Sequence, residues 1–338
     1  MKTTIEIFTS LASRLESFAQ RPETNALIAR ATEENPWFTH DDIVRAVRAI
    51  AHDMLQAESL EEWLSHYTQA SRPQRVAVIM AGNLPLVGFF DMLCVLASGH
   101  ECHYKPSSKD SVLMEYIARE LRDIEPTIAL HRFDPTAEYD MLIATGGDSA
   151  VHHFDTHYPT TRRLLRGSRH SVAVLDGMES AEELEGLIGD ITAYSGLGCR
   201  SVSLLFVPQG HHVELMSEPP RCPKLERNLR SERALRTMTG QPYSDCRGFI
   251  LAPGESFPTS LAVVHTREYS SLDEVASWLS DNGDHLQCVV SHVESLNKAL
   301  PFGRTIPFGH AQHPTLHDYA DGIDTMQWLT ASPSRRSE

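Results

Sequence analysis

RVAVIMAGNLPLVGFFDMLCVLASGHECHYK, residues 75–105, decides the fold. RVAVIM (75–80) is a β-branched, apolar run of strand length, and ECHYK (101–105) is a second short strand. Between them LPLVGFFDMLCVLAS (84–98) reads as a buried helix; it carries Asp91 and is too short to span a bilayer. The alternation continues with a helix over 111–123, where Leu113, Ile117 and Leu121 fall in phase. MLIAT (141–145) is the next strand and runs through Gly146 and Gly147 into another helix. Strands alternating with helices predict an α/β fold with a parallel sheet covered on both faces. Such sheets bind ligands at the carboxyl ends of their strands.

Working outward, residues 1–70 read as a helical N-terminus. In NPWFTHDDIVRAVRAIAHDML (35–55), Thr39 is a cap, Asp42 answers it three residues on, and Phe38 staples onto Ile43. Ile43, Val47, Ile50 and Met54 share one face, so this module reads as packing. A second α/β unit begins at SVAVLDG (171–177). It continues through a strand after residue 200, a solvated helix around 223–237, SLAVVHT (260–266), a helix at 272–281 and the strand LQCVVSH (286–292). DTMQWLT (324–330) is expected as a last strand, one that could extend a neighbour's sheet in a homo-oligomer. ASPSRRSE (331–338) is expected to fray. The divisions expected are a helical segment 1–70, a nucleotide-binding domain 71–165, a catalytic domain 166–300, and a C-terminal segment 301–338 that returns to brace the cleft.

The chain has 338 residues, room for two cores, and a formal net charge of −15, which argues against nucleic acid or an anionic membrane as partner. No basic start precedes an apolar core at the N-terminus, so no signal peptide is read. The six cysteines (Cys94, Cys102, Cys199, Cys222, Cys246, Cys288) form no CxxC pair and suit a reducing cytoplasm. His153 and His157 have zinc-ligand spacing, beside His152, but no glutamate follows in the metalloprotease pattern, so no metal is expected.

Cys199 stands apart. In YSGLGCRSVSLLFV (194–207) it follows a helical stretch, sits behind Gly196 and Gly198, and leads into a β-branched strand. The glycines leave room for a substrate, and Arg200 supplies positive charge that favours the thiolate. On this segment alone a buried structural thiol remains the equal alternative. Three other strand-end segments accompany it: MAGNLPLVGFF (80–90), YKPSSKD (104–110) and ATGGDSA (144–150). No GxGxxG fingerprint is present. Thr145, Gly146 and Gly147 open a helix whose first amides could face an anionic group such as a pyrophosphate, whereas the Asp148 carboxylate would repel phosphate.

In order and spacing these segments resemble the aldehyde dehydrogenase superfamily. NPWFT, AGNLPLVGFFD, SGHECHYKPSSKD, SVAVLDG, LGCRSVSLLFVP and IPFGHAQHPTLHDYADGIDTM (306–326) are more closely similar to the LuxC-like acyl-CoA reductases, over about residues 35–330. The resemblance implies an aldehyde-dehydrogenase-like fold and a nicotinamide cofactor. It implies that Cys199 attacks an acyl thioester, of coenzyme A or an acyl carrier protein, and that Asn83 donates its amide to the oxyanion beside the Cys199 N–H. Lys105 matches the lysine that holds the adenosine ribose. Two positions on, where an acidic residue often binds the ribose hydroxyls, stands Ser107, followed by Ser108 and Lys109; with no carboxylate and an added cation, NADPH is expected over NADH. Glu255, in ESFPTSLAVV (255–264), lies over the segment that holds the nicotinamide ribose, with a plain loop carboxylate as the alternative.

The glutamate base with which superfamily members hydrolyse the acyl-enzyme has no counterpart in LLRGSRHSVAVL (164–175), which holds no carboxylate. This favours thioester reduction over oxidation of aldehyde to acid. Two rivals stand beside it: a non-catalytic acyl-CoA-binding subunit serving an acyl-transferring partner, and a CoA-acylating aldehyde dehydrogenase working oxidatively.

Overall fold

The computed structural model describes residues 2–331, with every side chain among them except that of Asp148. The expected fraying of 332–338 and the effect of the Asp148 carboxylate fall outside the described residues. The chain divides into two units, one of residues 2–35, 43–167 and 315–331, the other of Pro36–Asp42 and Ser168–Pro314.

The first unit is built on five strands, β1 (Arg75–Ile79), β2 (Glu101–Lys105), β3 (Leu130–Arg132), β4 (Met141–Thr145) and β5 (Arg162–Arg166). Their order is β3-β2-β1-β4-β5, and every neighbouring pair is parallel. Val76, Ala77 and Val78 of the central strand are wholly buried, which is why β1 reads as an unbroken apolar run rather than an alternation. The order reverses between β1 and β4, the switch point at which such sheets take ligands. Helices α1 (Thr4–Glu16) and α2 (Pro22–Glu34) lead the chain, followed by α3 (His40–Ala49) and α4 (Ala57–Ser65). Thr3 and Glu6 form a capping box on α1. Helix α5 (Phe89–Ala97) packs on β1 and β2, α6 (Ser111–Ile124) meets α1 and α2, and α7 (Asp148–His157) lies on β4 and β5.

The second unit holds β6 (His170–Val174), β7 (Val202–Pro208), β8 (Ser244–Asp245), β9 (Ile250–Pro253), β10 (Val263–Tyr269) and β11 (Leu286–Val290). Their order is β11-β6-β7-β10-β9-β8, parallel except where β8 meets β9. Along β7, Leu204 and Phe206 enter one core and Leu205 and Val207 the other, so both faces are covered. Helix α8 (Ala181–Thr192) starts in a Ser180–Glu183 capping box and precedes β7; α9 (Pro223–Thr239) and α10 (Leu272–Asp281) follow it.

The expectation of a last strand at 324–330 is wrong. Thr325–Thr330 is a helix, α11, started by Asp324, whose carboxylate accepts the Gln327 N–H at 2.8 Å. Buried Thr325, Met326 and Leu329 repeat at three- and four-residue steps, a helical period that the alternate apolar residues masked. With no strand there, the segment has no edge to lend to a neighbour's sheet.

Helix α11 is held by a buried ion pair. Arg166, only 3% exposed, bonds Asp91 Oδ1 at 2.6 Å through Nη1 and Thr325 Oγ1 at 2.6 Å through Nη2. A buried pair adds little over an apolar filling, but losing one partner strands a charge. Arg166→Ala is therefore expected to destabilise the first unit by about 3–5 kcal/mol. Arg166→Ala combined with Asp91→Ala is expected to recover part of that loss; urea unfolding of both variants checks it.

Candidate active site

Three turns meet at the carboxyl edge of the first sheet. After β1 the chain turns through Gly82 and Asn83; after β2 it turns through Ser107 and Lys109. A Cβ on Gly82 would sit 2.5 Å from Ser107 Cβ, so only glycine lets the first turn lie on the second. Asn35 Nδ2 ties them, donating to Lys109 O at 3.2 Å and Gly82 O at 3.4 Å. Asp110, 2% exposed, accepts the Leu86 N–H at 2.8 Å and so pins Leu86 in the left-handed region at φ 59°. Burial raises the Asp110 carboxyl well above the usual carboxylate range. Asn83, Lys105 and Lys109 are exposed, and the Lys105 ammonium lies 5.7 Å from the Phe133 ring centroid and 5.9 Å from that of Phe154.

The third turn follows β4. Gly146 N–H donates to Arg166 O at 3.1 Å, and Gly147 is the N-cap of α7 in extended conformation. The Thr145 hydroxyl donates to Asp91 Oδ2 at 3.4 Å, which links it to the Arg166 ion pair. Thus Asn83, Lys105, Ser107, Lys109, Thr145, Gly146 and Gly147 gather at one sheet edge, around the switch point. Glycine where the backbone must be approached, exposed cations and a helix start are the fittings a dinucleotide needs there.

Cys199 is placed differently. It precedes β7 and so stands at the amino edge of the second sheet, where the carboxyl-edge rule would not look. Three successive residues, Tyr194 (φ 52°), Ser195 (φ 58°) and Gly196 (φ 72°), are left-handed and reverse the chain between α8 and β7. Asp42 Oδ1 accepts the Tyr194 N–H at 3.2 Å, and the Ser171 hydroxyl donates to Cys199 O at 2.8 Å. Cys199 is exposed, and the other five cysteines are buried. Its Sγ lies 3.7 Å from Gln287 Oε1. Glu255 is not brought to this turn. Its carboxylate is 82% exposed and pairs at 3.2 Å with Arg267 Nε, on the carboxyl-terminal half of β10.

Reading the sequence missed Asp42, Asp190, Asp110 and Gln287. Asp42 had been assigned to helix capping alone, and it does meet Thr39 at 2.7 Å. Asp190 carried a visible signal, an acid on the same face of α8 as Leu187 and Ile191. It is 1% exposed and accepts Gly309 N–H at 2.7 Å and Ala311 N–H at 3.0 Å, fixing the PFGHAQH segment onto α8. Gly186 and Gly309 let the backbones touch, since a Cβ on Gly186 would lie 2.8 Å from Gly309 N. Elsewhere in this unit Asp176, Glu179 and His292 could converge on a cation, though His292 already bonds Asp176 at 3.0 Å and Glu183 at 2.7 Å.

A family model described as acyl-CoA reductase (LuxC) matches residues 24–218, more than half of the chain. The chain belongs to that family. Among curated relatives, the long-chain acyl-protein thioester reductase of Photorhabdus laumondii is 21% identical over 266 residues, covering 72% of this chain and 54% of its own. That of Vibrio harveyi is 26% identical over 167 residues, covering 43% and 35%. The chain thus spans about half the length, or less, of the curated relatives it matches. Solved structures similar to it include the lactaldehyde dehydrogenase of Escherichia coli (TM-score 0.64, 14% identity, 90% of this chain and 78% of that one). An oxidoreductase of Marinobacter aquaeolei is also similar (TM-score 0.65, 14% identity, 92% and 78%). The fold is that of the aldehyde dehydrogenases. Among the described residues, no helix is long and apolar enough to cross a membrane.

Burial pushes the Asp190 carboxyl up to about 6. A folded value above the ordinary aspartate range means that stability from this group is full at acid pH and is lost as pH rises through about 6. The melting-temperature gap between the native protein and Asp190→Asn, which cannot titrate, should therefore shrink from pH 4.5 to pH 7.5. A gap that widens over that range would contradict the assignment.

Proposed function

We propose that this chain carries out the reduction of an acyl thioester to an aldehyde through an acyl group held on Cys199. The observation that carries the reading is the exposed thiol at the end of a strained left-handed turn, in a chain of the acyl-CoA reductase family. The Cys199 sulfur attacks the thioester carbonyl; the new S–C bond forms as the old one breaks, and the carrier thiol leaves with a proton. The Cys199 backbone N–H and the Asn83 amide serve as oxyanion donors. A nicotinamide, when bound, would supply hydride to the acyl carbon; the Cys199 S–C bond would then break, the aldehyde would leave, and the sulfur would regain a proton from solvent. The first unit holds that cofactor with Lys105, Ser107, Lys109 and the Thr145–Gly147 turn, and the second carries the nucleophile. Glu255, in its ion pair with Arg267, takes no part in this reading.

The substrate is an acyl chain on coenzyme A or on a protein thiol, the latter in line with the names of the curated relatives. Exposed Lys109 and the absence of a carboxylate at Ser107 favour the 2′-phosphate of NADPH. The six thiols, none in a disulfide, suit a reducing cytoplasm.

Intact-mass measurement after mixing with a fatty acyl-CoA or acyl carrier protein should show an acyl-sized gain that NADPH discharges. Cys199→Ala should abolish the gain, and Asn83→Ala should slow acylation by about 10²–10³. No adduct from either donor would overturn the reading. For the cofactor, Lys109→Ala should weaken NADPH binding by about tenfold, the worth of one charge-assisted hydrogen bond, and leave NADH binding nearly unchanged. Equal losses for both nucleotides in a calorimetric titration would remove the 2′-phosphate contact.

A further inference from the structure

The amino edge of the second sheet carries two irregularities, both at the level of Ser171 on β6. On one side Ser171 pairs with Val202 and Val172 with Leu204, leaving Ser203 as an extra residue of β7. On the other side Leu286 pairs with His170 and Cys288 with Ser171, leaving Gln287 as an extra residue of β11. The cores agree with the second bulge. Val289 and Val290 enter opposite cores, Cys288 shares that of Val290, and Leu286 then falls in with Val289 instead of with Cys288. The side-chain alternation slips by one residue, and Gln287 is the residue that absorbs the slip. Bulges of this kind re-aim a side chain.

What the slip aims is an amide. Gln287 is 6% exposed in a strand whose other residues are apolar or thiol, and its Oε1 lies 3.7 Å from Cys199 Sγ. The other side of the thiol's turn is also fixed from this edge. The Ser171 hydroxyl donates to Cys199 O at 2.8 Å, and therefore accepts from Cys288, whose Sγ is 3.0 Å away. A buried polar side chain in a parallel strand is costly unless it is satisfied, and the thiol is a partner that the bulge brings within reach.

We propose that Gln287 is the positioning residue of Cys199, holding the thiol through Oε1 and, once the proton has left, turning its amide to donate Nε2–H to the thiolate. The inference rests on the reading of Cys199 as the nucleophile and adds to it the group that sets the sulfur's direction and acidity. An amide suits this task because it is an acceptor and a donor on one planar group and brings no charge of its own. A carboxylate at the same place would accept from the thiol but repel the thiolate. The charged and titratable groups that share these surroundings are Arg200, next in the chain, Asp190 on α8 and buried Cys288, whose thiol feels Arg200, Asp190 and Cys199 itself.

The test is the pH dependence of alkylation of Cys199 by iodoacetamide in the full chain, followed by peptide mass spectrometry. The other five cysteines are buried, so the exposed thiol reacts first. Gln287→Met, similar in volume and unable to bond, is expected to shift the profile to higher pH and slow alkylation at pH 7 by about tenfold. Gln287→Glu should shift it further in the same direction. Should the methionine variant fail to fold, the glutamate variant, which keeps shape and polarity, still decides. Profiles that superimpose on that of the native protein in the folded variants would overturn the proposal. Alkylation needs neither acyl thioester nor cofactor, so the two readings fail separately. A shifted profile in a protein that never takes up an acyl group would remove the proposed function alone, whereas an unshifted profile in a protein that does would remove Gln287 alone.

Discussion

Tyr194, Ser195 and Gly196 in succession occupy the left-handed region, and the presentation of Cys199 depends on that turn. Only glycine enters this region freely; each of the other two costs on the order of 1–3 kcal/mol. The cost is offset locally. Tyr194 and Ser195 are buried, the Tyr194 N–H is taken by Asp42, and the Cys199 carbonyl is taken by Ser171. A right-handed continuation of α8 would have carried the chain onward along the helix axis. The reversal instead delivers Cys199 to the start of β7 with its thiol exposed. Strain of this kind persists only where the surroundings over-determine it, and three elements meet the turn here: the first turn of α3, the start of β6 and the start of β11.

The two sheets use opposite edges. In the first unit the residues suited to a nucleotide lie at the carboxyl edge, around the switch between β1 and β4, where diverging connections leave a crevice. In the second unit the thiol lies at the amino edge, and the carboxyl edge carries Asp176, Glu179 and His292 instead. The difference follows from what each edge must present. A cofactor is met by backbone amides and by glycines that leave room for it, which βα turns supply. A single reactive side chain, the part proposed for Cys199, needs holding from several directions, and the starts of β6, β7 and β11 bring Ser171, the turn itself and Gln287 to that residue.

Much of this was legible in the residues, because strand length, helical period and the Gly–Asn and Lys–Pro–Ser turns are local signals. The Arg75–Lys105 stretch gives strand, helix and strand in order, and the structure has them as β1, α5 and β2. Where the local signal was ambiguous it misled: DTMQWLT has apolar residues at spacings that suit either period, and the Asp324 cap decides for helix. The missed site residues share one cause. Asp42, Asp110, Asp190 and Gln287 act on partners 24 to 152 residues away in sequence, on backbone N–H groups or a thiol whose positions exist only once the chain has folded. Of the four, Asp190 and Gln287 broke their local patterns visibly, an acid on the apolar face of α8 and an amide in an apolar strand.

The absence of a carboxylate from residues 164–175 gains meaning from where the next acids lie. Asp176 follows β6 at its carboxyl end, the edge away from Cys199, and is engaged by His292 at 3.0 Å. Asp190 is nearer to the turn, but both its oxygens accept backbone N–H groups of the PFGHAQH segment. Glu255 pairs with Arg267. Asp176, Asp190 and Glu255 are thus each engaged elsewhere, and the side chain that meets the thiol at 3.7 Å, that of Gln287, is a neutral amide. Neither a neutral amide nor a hydroxyl activates water to cleave a thioester. On the proposed reading, an acyl group on Cys199 would meet a neutral amide at that point and not a carboxylate. Such surroundings would suit the proposed reduction of a thioester better than its hydrolysis, because the second needs a base to activate water.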